Sequence, residues 1–319
     1  MIKPEDADFH TPPSEDFRWC ETNPLLFNIP QARISGMLYV VTRPVLGVCM
    51  SDVTVQDRYS DTWEDTLYVD NQQHLPCPRS LLDYALPNGL SVRVLEPLKR
   101  SEFRYEGIDD TRIELTFEAL MDPYDMNDPA MDPLAATRLA HGWSTAFGGH
   151  FEITGRVRGV AVLRGQRHTV DCIDTLDRSW GPRQERDNSN AVWLHGSFGE
   201  ALTVHALLGV DPARGPEFGA LISGYVLEDG QVYGLTRCTG RSERRGMIAL
   251  STTLTATDTR GKVFELTAAA LNCAPTAPYP SVLYTQSLMR WHHGDRVGYG
   301  IQQDVLSRAW CGRHRDALR

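Results

Sequence analysis

Residues 112–120 read RIELTFEAL, and this stretch sets the fold class. Ile113, Leu115, Phe117 and Ala119 alternate with Arg112, Glu114, Thr116 and Glu118. A period of two is what a strand with one buried and one wet face requires. Just upstream, Gly107, Asp109 and Asp110 form a turn cluster, so residues 103–118 read as two joined strands. Residues 34–41 (ISGMLYVV) and 91–95 (SVRVL) are equally rich in β-formers. Downstream, 151–163 and 167–173 flank Arg164-Gly165-Gln166, a hairpin turn. Further strands are expected at 191–198, 201–210, 218–227, 231–238, 247–257 and 262–272, with turns at Glu228–Gly230 and Thr259–Gly261. A last pair, 281–291 and 296–305, joins across His293, Gly294 and Asp295. Short strands at roughly ten-residue spacing with turn signals between them predict an all-β sandwich or barrel.

One segment breaks the pattern. Residues 121–149, MDPYDMNDPAMDPLAATRLAHGWSTAFGG, are dominated at first by Pro and Asp, with a short helix expected near 133–141. They read as a long crossover. At 319 residues the chain suits one large or two ordinary domains. Two β-units are therefore expected, 1–149 and 150–319.

Composition removes several function classes. The 41 acidic against 32 basic side chains give a net charge of −9, which argues against nucleic acid as the main partner. No apolar run is long enough for a transmembrane helix. The N-terminal MIKPEDADFHTPPSED lacks the apolar core of a secretory signal and reads as a draped or frayed arm. The seven cysteines, Cys20, Cys49, Cys77, Cys172, Cys238, Cys273 and Cys311, are scattered, odd in number and form no C-x-x-C pair. Free thiols in a reducing compartment follow, with the cytoplasm as the expected location and neither a disulfide framework nor a structural zinc site. No P-loop, no strand-to-helix G-x-G-x-x-G, no G-x-S-x-G and no H-E-x-x-H occurs; Gly298 and Gly300 stand as an isolated G-x-G. No cofactor and no metal is expected.

The densest polar and aromatic segment is 174–183, DTLDRSWGPR. One reading is architectural: a polar corner in which Asp177 pairs with Arg183 and Trp180 plugs a barrel end. The other is chemical. A carboxyl at the mouth of an apolar cavity has its pKa raised by desolvation and can serve as a general acid near neutral pH. Protonating an alkene or a tertiary alcohol needs such an acid beside aromatic rings, whose π faces steady a developing carbocation. Trp180 and Trp193 are the candidate rings.

This D-x-S-W-G-P-R string resembles the signature of the lipocalin-like superfamily that contains carotenoid 1,2-hydratases and AttH-type proteins. The preceding Gly155, Arg156, Val157, Gly159 and Val160 through Val170 and Asp171 fit it, as does the following strand with Trp193, His195 and, further on, His205. The likeness is best over about 150–210. It implies two lipocalin-like antiparallel β-barrel domains and, by position, Asp177 as the proton donor. Ser179 stands where the hydratase string carries Asn. More distant relatives include fungal Diels–Alderases, which shape a substrate in a cleft between domains without a cofactor.

Two functions are carried forward. The first is a cofactor-independent hydratase, dehydratase or isomerase, with a cyclase-like activity as the lesser variant, acting on a terpenoid, steroid-like or polyketide-like molecule. Asp177, His195 and Arg183 would carry the chemistry, with Trp180, Trp193, His205, Ser179, Tyr299 and Asp304 at the substrate. Asp304 is expected to close a polar network with Asp177, and Tyr39, Arg43 and Trp143 to help line a cleft. The second is a carrier for a small hydrophobic molecule, in which the polar corner is a clasp; either is compatible with a homo-oligomer. His292 and His293 would point to opposite faces of a strand, which disfavours a metal site there. Asp122, Asp125, Asp128 and Asp132 miss the EF-hand spacing and read as a solvated loop.

Overall fold

A computed structural model describes residues 1–12, 14–140, 148–183, 190–278 and 281–316. Among them the chain is almost wholly β, in two antiparallel sheets. The first contains β1 (Trp19–Ile29), β2 (Ile34–Arg43), β3 (Val48–Gln56), β4 (Tyr68–Pro76), β5 (Asp83–Ala85), β6 (Leu90–Glu96), β7 (Arg100–Glu106), β8 (Arg112–Ala119), β9 (Tyr124–Asp125), β10 (Gly149–Leu163) and β11 (Gln166–Pro182). Its order is β4-β3-β2-β1-β11-β10-β8-β7-β6-β5, with β9 beside β10, and it curls into an open half-barrel. The second contains β12 (Ala191–Ser197), β13 (Leu202–Val210), β14 (Phe218–Glu228), β15 (Gln231–Arg245), β16 (Ile248–Asp258), β17 (Val263–Ala270), β18 (Ala274–Thr276), β19 (Val282–His293) and β20 (Arg296–Ser307). Pairing of β17 with β19 closes eight of these strands into a barrel, leaving β18 on its rim. No helix among the described residues is long and apolar enough to cross a membrane.

Sheet membership changes between Pro182 and Ala191 rather than at 149/150. The long hairpin β10–β11 pairs with β8 on one side and β1 on the other, so it completes the first sheet. Its turn is the two-residue Arg164-Gly165, both at positive φ (49° and 80°), the geometry that matches strand twist. The same pairing overturns the polar corner: residues 174–182 are strand, flanked on both sides. Strand alternation therefore sends Asp177 and Ser179 to one face and Arg178 and Trp180 to the other. The short helix predicted near 133–141 is present at Ala135–Ala140.

Strands β1 and β3 carry no readable alternation because both of their faces are covered. Odd residues of β1 (Leu25, Phe27, Ile29) enter the first sheet's core with Phe103, Phe117 and Phe151. Its even face looks toward the outer wall of the barrel. There Leu26 joins Met37, Tyr39, Val41, Tyr284 and Ile301 in an apolar layer between the sheets. The barrel interior is packed with Val192, Leu194, Val204, Phe264 and Trp291. The N-terminal arm is draped, not frayed: Arg178 Nη1 donates to Ala7 O at 2.5 Å, and Glu21, fully buried, accepts from Arg178, His10 and Trp19.

Asp52 sits in the gap between the sheets, accepting from Thr54 at 2.6 Å and from Thr276 of β18 at 2.8 Å. Burial, only partly offset by those bonds, pushes its carboxyl from 3.8 up to about 6. A raised acid holds its proton more tightly in the folded chain, so stability falls as pH rises through that window. A shift of about two units corresponds to about 3 kcal/mol. Replacing Asp52 by Asn should therefore raise stability relative to the native chain by about 3 kcal/mol more at neutral pH than below about pH 4. Urea unfolding at both pH values checks this.

Candidate active site

The neighbouring strands β10 and β11 place Glu152 opposite Asp177, Thr154 opposite Thr175 and His150 opposite Ser179. All six side chains share the face that looks across the gap at the barrel. From the barrel's outer wall come Trp193 and His195 of β12, His205 of β13 and Tyr225 of β14, with His195, His205 and Tyr225 directly cross-strand. The gap between the sheets, not a barrel interior, is where the chemistry-bearing residues converge.

Glu152 is the hub. It accepts from His150 Nε2 at 3.0 Å, Trp193 Nε1 at 3.1 Å and Thr175 Oγ1 at 2.8 Å, with His205 Nε2 at 3.6 Å. Burial would push this carboxyl up, but the surrounding histidines and the Thr175 hydroxyl overcome it and hold it near 2. Glu152 is thus a buried carboxylate stabilised by N–H and O–H donors. Asp177 has the opposite environment. Burial, then repulsion from Glu152, raises its carboxyl well above 3.8, against the pull of Arg183 and Arg178. The two adjacent carboxyls share one set of donors, and their opposite shifts favour the ionised form at Glu152 and the protonated form at Asp177. Asp177 is also the more open of the two, with a fifth of its side chain exposed.

The histidines form a chain away from Glu152. His195 Nδ1 lies 3.3 Å from His205 Nδ1, and both rings are fully buried. Desolvation lowers both, His195 to about 3, so both are neutral at pH 7. If His205 carries its proton on Nε2, 3.6 Å from Glu152, its Nδ1 is the acceptor and His195 Nδ1 the donor. That leaves His195 Nε2 as a bare lone pair, buried and without a partner among the described residues. Tyr225 stacks on His205 at 5.0 Å and holds Thr154 at 2.8 Å, which fixes the ring plane.

The sequence-derived set divides. Asp177, His195, Trp193 and His205 come together around Glu152. Arg183 is on the same face and donates to Ser179 Oγ at 2.6 Å, which in turn meets Thr22 at 2.6 Å. Trp180 does not join them. It lies on the opposite face of β11, stacked on His10 at 3.7 Å and against Phe151. The indole at the site is Trp193. Asp304 also lies elsewhere: cross-strand from Val192, it points into the barrel, paired with Arg244 and bonded by Thr285 and Gln302. Tyr299 lines a cleft of about 590 Å³ further along the same gap. Tyr39 lies in the apolar layer between the sheets, while Arg43 holds the Phe17 and Arg18 carbonyls. Trp143 lies outside the described residues. Of the four loop aspartates, Asp132 is buried against Arg138 and Ser223, and Asp125 and Asp128 lie beside the N-terminal amine.

Sequence reading missed His150, Glu152 and Thr175. The available signal was the alternation H-x-E-x-T at 150–154, which puts polar side chains on a face that the barrel covers. His150, Glu152 and Asp177 also offer ligand atoms within 4.8 Å of one another, a set able to hold a cation. The fit is poor, because both oxygens of Glu152 are already taken by N–H and O–H donors.

Comparison with known proteins adds the fold context. A family model described as a domain of unknown function, DUF7064, matches residues 3–303. No curated protein matches the sequence. Among solved structures, kievitone hydratase from Nectria haematococca superposes with a TM-score of 0.54 at 12% identity, covering 92% of this chain and 89% of its own. A provisionally assigned AttH of Nitrosomonas europaea gives 0.50 at 14%, covering 91% and 93%. CghA gives 0.53 at 10%, covering 91% and 88%. These neighbours share the fold with this chain.

Proposed function

The chain belongs to the DUF7064 family, and on that premise we propose that it is an acid-catalysing enzyme for a small hydrophobic molecule, with Asp177 as the proton donor. The observation that carries this reading is the carboxyl pair: Asp177 partly open to the gap and raised by burial and by Glu152 opposite it, Glu152 sealed among the donors of His150, Thr175 and Trp193. A structural ion pair would have no need to keep a neutral acid facing the gap.

The apolar layer beside the pair supports a hydrophobic substrate. The β1–β11 register puts Pro24 opposite Asp177, and Tyr39 pairs with Pro24, so the acid borders the Leu26, Met37 and Tyr284 layer. An isoprenoid or polyketide alkene suits such a border. In hydration, the Asp177 O–H bond breaks toward one alkene carbon, leaving a carbocation on the other. Water adds there and its surplus proton returns to the Asp177 carboxylate. In isomerisation, the returning proton instead leaves an adjacent C–H. Both balance without an external oxidant or reductant. The indole face of Trp193 can steady the cation, and the resemblance of the fold to a hydratase and to CghA is consistent with this class.

Incubating the protein with a panel of isoprenoid and polyketide alkenes in D2O tests the reading. Carbon-bound deuterium, with or without added water, is the expected mass-spectrometric result. Recovery of every panel member unlabelled and unchanged would count against catalysis and favour a carrier.

A further inference from the structure

The cleft of about 590 Å³ lies in the same gap between the sheets, but its lining is of another kind. Ile173 on its wall is four residues along β11 from Asp177, about 13 Å at the rise of a strand. On its floor is Asn28, 2% exposed, whose Nδ2 donates to Asp174 at 2.7 Å. Asn28 Oδ1 is buried yet receives no donor among the described residues. Leaving an acceptor in that state is unfavourable unless something in the cleft supplies an O–H or N–H.

The rim decides what that something is. The Arg156 guanidinium grips Asp171 at 2.8 and 2.9 Å and reaches across the gap to Glu200 of the β12–β13 turn at 2.6 Å. Arg158 also lies 3.6 Å from Asp171, so two cations face two carboxylates and the rim carries no net positive charge; a phosphate or carboxylate gains no attraction here and brings no donor for Asn28 Oδ1. The uncharged polar side chains, Ser197 and Tyr299 from the barrel and the Asn28 and Gln31 amides, both donate and accept. A ligand hydroxyl is likewise donor and acceptor at once, so neighbouring hydroxyls can be matched here and an alkyl chain cannot. Ile173 and the Tyr299 ring supply apolar surface for a flat C–H face. The volume lies within the usual range for small-molecule sites.

We propose that this cleft is a second binding site, for a neutral polyhydroxylated small molecule such as a glycoside, with Asn28 Oδ1 taking a ligand hydroxyl. The site stands apart from the acid chemistry at Asp177 and does not depend on it.

Phenyl β-D-glucopyranoside is the probe, with phenyl phosphate as the anionic control bearing the same ring. Titration should shift the Asn28 side-chain amide signals in NMR spectra, and phenyl phosphate should bind at least about tenfold more weakly. Tyr299→Ala should weaken the glucoside by at least about fivefold, and the exposed Glu200→Ala, which leaves the core untouched, by about threefold. Asp177→Asn should leave its Kd within about twofold. An unmoved Asn28 amide, phosphate binding as tight as the glucoside, or a loss in Asp177→Asn equal to that in Tyr299→Ala would each overturn the assignment.

Discussion

Asp177→Asn is expected to lower turnover of any alkene that the deuterium screen identifies by about 10²- to 10⁴-fold, the usual worth of a positioned general acid. The substitution keeps the shape of the side chain and removes only the transferable proton. Stability should hold or rise at pH 7. The folded chain raises the Asp177 carboxyl above its ordinary value, so ionising it is unfavourable to folding above that value and a neutral amide escapes the penalty. This pairing of outcomes separates the two readings of the motif. A clasp built on an Asp177–Arg183 ion pair would lose stability on the same substitution and leave chemistry untouched. Turnover is read by deuterium incorporation and stability by urea unfolding at pH 7.

Glu152→Ala should have the largest effect on folding. Its carboxylate collects donors from His150, Thr175 and Trp193 directly, with His205 at its edge, and 4% of the residue is exposed. Removing it strands these donors in a closed space and opens a void, at a cost of about 3–5 kcal/mol. Glu152→Gln keeps the volume and one acceptor, so it should cost less and fold. In that folded variant the neighbouring negative charge is gone, and repulsion from Glu152 is one cause of the raised Asp177 carboxyl. The proton on Asp177 should then be lost at lower pH. Unfolding curves of both variants, with the pH profile of Glu152→Gln turnover, check this.

How much of this was readable before the structure depends on what each residue faces. The alternation at 112–119 is legible because one face of β8 meets the core and the other meets water. The even face of β10, with His150, Glu152 and Thr154, shows the same pattern, yet the barrel covers it. Periodicity distinguishes core from not-core and says nothing of a second layer. The D-x-S-W-G-P-R string singles out Asp177, which lies in the gap beside Glu152, but neighbours in sequence are not neighbours on a strand. Trp180 lies three positions after Asp177, an odd offset, which puts the indole on the far face beside His10. Trp193, sixteen positions further on in a different sheet, is the ring that reaches the carboxylates. Asp304 failed for the same reason: its cross-strand partner Val192 faces into the barrel while Trp193 faces out. The β-barrel class needed only local patterns, whereas the site needed the register between two sheets.

The direct measurement is the protonation of Asp177 itself, followed by carboxyl ¹³C chemical shift or isotope-edited infrared spectroscopy across a pH titration, with Asp177→Asn used to assign the signal. The account predicts a carboxyl that keeps its proton well above the range near 3.9 where an ordinary aspartate loses it. A signal that titrates in that ordinary range, with the ionised group held by Arg183, would contradict it.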